Sequence, residues 1–411
     1  MKKCCAILFF ISFTVTCLAQ KNQLDYYIGQ AMANSPLLKD YKNQVQSSAF
    51  DSLLIKAAYK PQVTGNSFNS YAPVIKGYGY DGAITNGGNF NALIGVNKQL
   101  LNKKLVTAQF QNLQLQNQSL SNTAKITEQD LKRTITAQYI TAYGDLQQIN
   151  FNKEIIALLQ KEEIILKKLT QGNVYKQVDY LSFLVTLQQQ ELLIKQLDIQ
   201  FKNDAATLNY LCGIADTSLV VLQDPTLSLN PLPDINRSVF LKQFEIDSLK
   251  LSNNKVLIAA GYKPKINLFA DAGFNSSLAY SAYKNFGTSF GISASIPIYD
   301  GKQKKLQYSK IAIAERTRNN YKDFFIKQYS QQVAQLNQQL NATDELIADI
   351  NKQLKYAESL ITVNERLLET GDVHITDYIL ALNNYINAKN LVTQNTINRL
   401  QIINQVNYWN R

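Results

Sequence analysis

The feature that most constrains the fold is an internal repeat at a lag of about 200 residues. The stretch AAYKPQV at 57–63 returns as AAGYKPKI at 259–266, and GNVYKQVDY at 172–180 returns as GDVHITDY at 371–378. The two matches keep their order along the chain, so a duplication explains both. We therefore expect two halves with one architecture, a first repeat at 20–212 and a second at 237–411.

Within each half the hydrophobic period changes from helical to alternating and back to helical. In the first half we predict a helix over 23–58, which Pro61 ends, and a pair of strands over 61–98. Helices follow over 103–211, with breaks near Gly144 and at Gly172. The second half predicts the same series, with breaks near Asn341 and at Gly371, over 236–260, 264–298 and 302–408. A Pro-rich linker at 213–236 separates the two.

The N-terminus has the pattern of a secretory signal peptide. Two lysines precede an apolar run from Cys4 to Val15, and small residues follow where a signal peptidase cleaves. We predict removal of residues 1–19, which leaves Cys212 as the one cysteine and therefore no disulfide framework. Lipidation of Cys17 is an alternative. After this segment no stretch has the ~20 apolar residues of a membrane-spanning helix.

Apolar residues alternate with small or polar residues along the strands, most clearly in the second half. A soluble sandwich gives this pattern too, but behind a signal peptide strands of about ten residues favour an outer-membrane barrel. The sequence then predicts six membrane-facing positions: Ile266, Leu268, Phe274, Phe290, Ile292 and Ile296. Four strands cannot close a barrel, since the smallest membrane barrels have about eight, so several chains must share one.

Composition excludes several function classes. One His in 411 residues rules out chemistry built on several histidines, and the net charge of +11 is diffuse, without the basic and aromatic clusters of a nucleic-acid groove. Polarity comes largely from amides, 40 Asn and 38 Gln, which wet a surface without a strong field of one sign. We predict no enzyme activity, no catalytic residues, no cofactor and no metal site.

Several short motifs resemble the outer-membrane efflux protein family, the TolC-like channel-tunnels of Gram-negative bacteria. They occur in order along the mature chain: ANSP at 33–36, YKPQV at 59–63, IPIYDG at 296–301, and ETG at 369–371 with DY at 377–378. No single motif is specific, and the combination carries the resemblance. The first repeat departs from the pattern with Leu100-Leu101-Asn102 where the second has Tyr299-Asp300-Gly301.

The resemblance implies a mainly α-helical chain with a membrane β-barrel portion. Such chains form homotrimers with a shared 12-stranded barrel in outer-membrane lipid and a 12-helix α-barrel in the periplasm. A periplasmic adaptor (membrane fusion protein) and an inner-membrane pump of a tripartite efflux or type I secretion system dock at the lower end, and the channel is a passive conduit. Matching of helix lengths then puts a gate at helical hairpin tips near Tyr143, Gly144, Asp145, Asn341 and Asp344. Ordinary solvated turns are an equal alternative.

Other motifs receive plainer interpretations. The stretch GYGYDG at 77–82 has the spacing of a dinucleotide-binding loop, but another strand follows where a helix is required, so we predict a loop. His374 lies in a turn without a second ligand nearby, and Cys212 is expected to be a buried small residue. Lys302, Lys304 and Lys305 either meet lipid headgroups or are simply solvated.

A second function hypothesis is a secreted or surface-attached coiled-coil structural or adhesive protein. Long helices rich in amides fit that role, and Ile155, Leu158, Glu162, Ile165 and Leu169 follow a coiled-coil spacing. The alternating strands distinguish the two hypotheses, because an adhesin does not need an apolar face on four strands. The export channel is therefore the leading hypothesis.

Overall fold

The computed structural model describes residues 23–80, 87–100, 102–216, 222–231, 235, 238–277 and 282–409. The predicted signal peptide, Cys17 and part of the linker lie outside the described residues. Contacts divide the chain into two compact units. The first comprises Met1–Lys39, Ala124–Val239 and Phe324–Arg411, and the second comprises Asp40–Thr123 and Phe240–Asp323.

Helices and strands follow one another in nearly the same order in the two halves. The first half contains α1 (Leu24–Asn34), α2 (Pro36–Ala58), β1 (Gln62–Ala72), β2 (Gly87–Gln99), α3 (Lys103–Gln171) and α4 (Gln177–Cys212). The second contains α5 (Val239–Gly261), β3 (Lys265–Ser276), a 3-10 turn (Ala282–Lys284), β4 (Phe286–Ser295), α6 (Gln303–Thr370) and α7 (Ile375–Trp409). The predicted strand pairs and the breaks at Gly172 and Gly371 are confirmed.

The predicted breaks near Gly144 and Asn341 are wrong. Gly144 lies inside α3, and Asn341 inside α6, and both helices are continuous. A Cβ at Gly144 would lie 3.1 Å from Cγ1 of Ile397, so this glycine allows α3 and α7 to approach closely instead of ending a helix. Glycine in a helix costs only about 1 kcal/mol relative to alanine, which close packing compensates.

In the second unit the strands form one antiparallel sheet in the order β1-β2-β3-β4. In the register of this sheet Thr64 pairs with Gly95, Ile94 with Ala272, and Leu268 with Ile292. Residues 77–80 of the GYGYDG stretch follow β1, and Tyr78 forms an isolated bridge with Ile75. The last two residues of the stretch lie outside the described residues. None of the described helices is apolar over a length sufficient to span a membrane.

In the first unit two large apolar clusters hold the helices together. One packs α1 against α3 and α4 around Tyr27, Tyr139 and Leu208. The other joins α3, α4, α6 and α7 and contains Phe183 and Tyr378, both fully buried. Cys212 is buried in the first cluster, as expected, and burial raises the pKa of its thiol to about 12.

Side-chain amides join helices within each unit. In the cases that follow, an amide nitrogen donates to a backbone carbonyl that lies 2.9 Å away on another helix: Asn253 to Ala108, Gln401 to Ala137, and Asn404 to Arg133. A helical carbonyl has a second lone pair free for such a bond. Part of the amide-rich composition therefore serves helix packing, a role that the sequence did not indicate.

Candidate functional site

The first candidate surface is one face of the sheet, which is apolar and exposed in the chain. Because side chains alternate between the two faces, the register brings the apolar residues of three strands to the same side. They are Phe90, Ala92, Ile94 and Val96 of β2, Ile266, Leu268, Ala270, Ala272 and Phe274 of β3, and Phe286, Phe290 and Ile292 of β4. Phe290 is 88% exposed and Ile292 is 71% exposed. We name this set the apolar face.

The opposite face of the sheet is made of small and polar residues. On β3 and β4, Asp271 pairs with Ser289, and the Ser289 hydroxyl donates to Oδ2 of Asp271 over 2.7 Å. Phe68, Leu93 and Phe269 are the large apolar exceptions on this face. The Phe269 ring lies over Gly291, where a Cβ would be 2.7 Å from the ring. The sheet therefore has one apolar face and one mainly polar face.

Five of the six positions predicted to face the membrane lie on the apolar face. The sixth, Ile296, follows the last residue of β4 and lies outside the strand. The alternating pattern continues through Ile296 in the sequence, but Pro297 follows it and ends the pairing, because proline lacks the N–H that a ladder requires. That the apolar face meets lipid stays a prediction.

The junctions between strands and long helices differ in sequence and in geometry: Gly301 (φ 60°) and Lys302 (φ 69°) have left-handed backbones before α6, whereas Asn102 does not before α3. Asp300 accepts backbone N–H bonds from Lys302 (2.9 Å) and Lys304 (2.8 Å) at the start of α6. At the start of α3, Asn102 accepts a longer one from Leu105 (3.4 Å). Asn102 directly precedes α3, where Asn is a preferred N-cap, whereas Asp300 lies three residues before the first residue of α6. The departure at 100–102 therefore accompanies a different local geometry.

The second candidate surface is the pair of turns that connect the long helices to the shorter ones. In the first turn Val174 donates to the carbonyl of Leu169 over 2.9 Å, and in the second Asp372 donates to that of Leu367 over 2.9 Å. These are Schellman motifs, in which one residue has a left-handed backbone. That residue is Asn173 (φ 59°) in one turn and Gly371 (φ 82°) in the other.

The match between the two repeats paired Gly172 with Gly371, but in the structure the residue equivalent to Gly371 is the next one, Asn173. Asn173 occupies the left-handed position in the first turn, because Asn adopts that conformation more readily than other residues with a Cβ. With Asn173 matched to Gly371, the lag becomes the same as that between Asp179 and Asp377, both in the first turn of a helix.

The two turns pack on each other. The Tyr175 hydroxyl lies 3.0 Å from the carbonyl oxygens of both Leu368 and Val373, within donating distance of either. A Cβ on Gly371 would lie 2.7 Å from Cγ1 of Val174. Glycine is therefore required at position 371 for two reasons, the left-handed backbone and the close approach of Val174. No sequence signal marked Tyr175, since its partners are backbone atoms of the other repeat.

The predicted gate residues are not at these turns. Tyr143, Gly144 and Asp145 lie within α3, about 40 Å of helix from its end at 1.5 Å per residue. Asn341 and Asp344 lie within α6, where Asp344 forms an ion pair with Arg399 of α7. Placing them at hairpin tips was wrong, because the helices are nearly twice as long as the hairpin arms that the prediction assumed.

Asp145 has a different environment from that of a turn. Its side chain is buried, and Gln200 of α4 donates to Oδ1 over 3.0 Å. Burial, followed by the neighbouring Asp204, raises the pKa of Asp145 to about 7. Gln138 donates to Asp204 over 3.0 Å. Burial and the nearby Asp204 therefore both favour the protonated form of Asp145, while the two Gln side chains join α3 to α4.

A second buried carboxyl group lies between the helices nearer the turns. Glu162 of α3 is fully buried, and neither of its oxygens accepts a hydrogen bond from the described residues. Burial raises its pKa, the Lys161 ammonium 3.5 Å away opposes the rise, and Glu365 adds to it. Within the described residues, no group of three or more His, Cys, Asp or Glu side chains is placed to hold a metal ion.

The architecture matches that of solved outer-membrane proteins. CusC superposes with a TM-score of 0.76 at 15% identity, over 94% of this chain and 92% of that one. The outer-membrane protein VceC of Vibrio cholerae gives 0.72 at 12% identity, over 94% and 96% of the two chains. This chain has the fold of outer-membrane channels. The open-state MtrE channel of Neisseria gonorrhoeae gives 0.71 at 12% identity, over 94% of this chain and 88% of MtrE.

The resemblance to the TolC-like channels is thus confirmed for the fold. No family model matches the sequence, and no curated protein matches it either. At 12 to 15% identity the shared architecture carries no residue roles from one chain to another.

Proposed function

We propose that this protein is an outer-membrane channel that provides a passive path for export from the periplasm. The observation that carries the proposal is the apolar face, because a soluble sheet buries its apolar side, whereas Phe290 and Ile292 are largely exposed. An outer membrane supplies the apolar surroundings that such a face needs, and the polar face then lines water.

Closure of the barrel requires further copies of the chain. Among the described strands, β1 and β4 each have one neighbour, so the sheet has two open edges. Three copies joined edge to edge give a barrel of about twelve strands, within the range of membrane barrels. We therefore propose a homotrimer with a 12-stranded barrel, a helical portion in the periplasm, and water in the interior.

The helices offer a matching surface for neighbouring copies. One side of α4 carries exposed apolar residues at coiled-coil spacing: Val178, Leu181, Val185, Leu192 and Ile199. Each is between 51 and 69% exposed. A helix face of this kind is buried against another helix in a stable assembly, and a second copy of the chain supplies one.

The packed turns after α3 and α6 are the proposed periplasmic tips. We propose that a periplasmic adaptor and an inner-membrane pump engage the protein there and that the tips gate the path. The contact between Tyr175 and the second turn supports this, because it ties the two hairpins of one chain together and must break if they separate. The adhesive alternative has no use for the apolar face.

Native mass spectrometry of protein extracted in detergent from outer membranes tests the proposal. We expect a species with three times the mass of the mature chain, recovered only from the membrane fraction. Recovery of a soluble monomer from the periplasmic or secreted fraction would refute the channel and favour the adhesive protein.

A further inference from the structure

Lysines are concentrated at one end of the sheet. The antiparallel register brings together the start of β1, the end of β2, the start of β3 and the end of β4, since Gln62 pairs with Asn97 and Lys265 with Ser295. Eight lysines lie at or just beyond this end, and we name them the lysine belt: Lys60, Lys98, Lys103, Lys104, Lys263, Lys302, Lys304 and Lys305. Lys265 is on the polar face and is left out.

The charge at this end is not compensated. The segments 59–64, 97–105, 262–268 and 296–306 contain a single acidic residue, Asp300. Its carboxylate caps α6 through the N–H groups of Lys302 and Lys304. Among the described residues, no carboxylate lies within ion-pair distance of a lysine of the belt.

The other end of the same sheet has a different composition. The connections at 73–86 and 277–285 contain two lysines, Lys76 and Lys284, and one aspartate, Asp81. A need for solubility would apply equally to both ends of the sheet, so it does not explain why the lysines gather at one of them. The asymmetry indicates a different environment at each end of the sheet.

Exposed apolar side chains accompany the lysines after β4. Ile298 is 97% exposed and Tyr299 is 82% exposed, and both precede Lys302 by a few residues in the sequence. A shallow cavity of about 700 Å³ is lined by Tyr262, Ile298, Lys302, Lys304, Lys305 and Tyr308. Lys304 Nζ lies 5.3 Å from the centre of the Tyr262 ring, a cation–π distance that holds this ammonium group at the cavity.

We propose that the lysine belt binds the phosphate groups of anionic phospholipids in the leaflet that faces the helices. The inference rests on the proposed function, since it takes the apolar face to span the membrane. A headgroup phosphate then lies at the level of the ammonium groups, while Ile298 and Tyr299 contact the acyl chains beneath it. Lysine suits this role, because a compact charge on a flexible stem follows mobile headgroups.

Lipid binding to the full-length protein in detergent measures the effect. Native mass spectrometry would count adducts of dioleoyl-phosphatidylglycerol and of dioleoyl-phosphatidylcholine at matched concentrations. We expect preference for the anionic lipid, and a decrease of about 10- to 30-fold in its affinity for Lys302→Gln/Lys305→Gln, from the contribution of each lysine near an anionic surface. Lys302→Arg/Lys305→Arg should retain binding.

Lys76→Gln/Lys284→Gln removes the same charge from the other end of the sheet and should leave the lipid preference unchanged. Equal binding of both lipids, or equal losses in the two double variants, would overturn the inference. If inorganic phosphate displaces the lipid completely, the surface is an anion site and not a lipid site. A protein that is not trimeric in the same spectra would contradict the proposed function instead, so the two failures are distinguishable.

Discussion

The sheet and the helical hairpins place their apolar side chains in opposite ways. In the hairpins Leu159, Phe183 and Tyr378 are completely buried in clusters within the chain. In the sheet Phe290 is 88% exposed and the polar residues lie on the opposite face. Both regions follow the same sequence rule, one apolar and one polar side per element, so the difference lies in what covers the apolar side.

The comparison distinguishes apolar side chains that are buried within the chain from apolar side chains that the surroundings of the protein must cover. The two apolar clusters of the helices are buried within the chain, whereas the exposed apolar side of α4 is covered only by a further copy in the proposed trimer. The apolar face has no partner among the described residues, and exposure of a continuous apolar surface in water promotes aggregation. The predictions that follow test this difference.

The largest effect should come from truncating one phenylalanine in each region. Phe183→Ala removes a fully buried ring from the helical core and should lower the free energy of unfolding by about 3 to 5 kcal/mol. Phe290→Ala removes an exposed ring and should change it by no more than about 0.5 kcal/mol. Denaturant unfolding in detergent, followed by far-ultraviolet circular dichroism, measures both. Similar losses would mean that the apolar face is packed within the chain.

The pH dependence of the hairpins should depend on Asp145. Because its pKa rises from 3.8 to about 7, the folded protein holds a proton that the unfolded chain releases near pH 4. The stabilisation is therefore complete below about pH 4 and is lost as the pH rises through about 7, amounting to roughly 2 to 4 kcal/mol. Thermal unfolding between these pH values should show this slope.

Asp145→Asn should flatten that slope, since the amide of Asn does not titrate. Asp198→Asn is the matched control on α4, because Asp198 is exposed and pairs with Lys202. An unchanged slope in Asp145→Asn would show that Asp145 is not the group that takes up the proton on folding.

A smaller effect is expected at the packed turns. Gly371→Ala forces a Cβ into a left-handed backbone and against Val174, and should cost about 1 to 2 kcal/mol of stability. Gly29→Ala lies within α1 with open space around it, and should stabilise by about 0.5 to 1 kcal/mol. Thermal unfolding of the pair gives the sign of each change, and a Gly371→Ala protein as stable as the parent would refute the tight contact between the turns.

The sequence predicted the strands and the ends of the hairpins well, for local reasons. Alternation over ten residues, Pro61 and the Gly371 turn each act within a few residues of chain. It failed at Gly144, because whether a glycine ends a helix depends on Ile397, more than 200 residues away. Tyr175 and Asp145 were missed or misassigned for the same reason, since their partners come from other helices.

The central claim, that the apolar face contacts lipid, can be tested with single tryptophans on adjacent residues of β4. In a Trp409→Phe background, Ile292→Trp and Ser293→Trp would be reconstituted in bilayers with brominated acyl chains. Ile292 and Ser293 lie on opposite faces of the sheet, so the account predicts strong fluorescence quenching at position 292 and little at 293. Equal quenching at both positions, or none at 292, would contradict it.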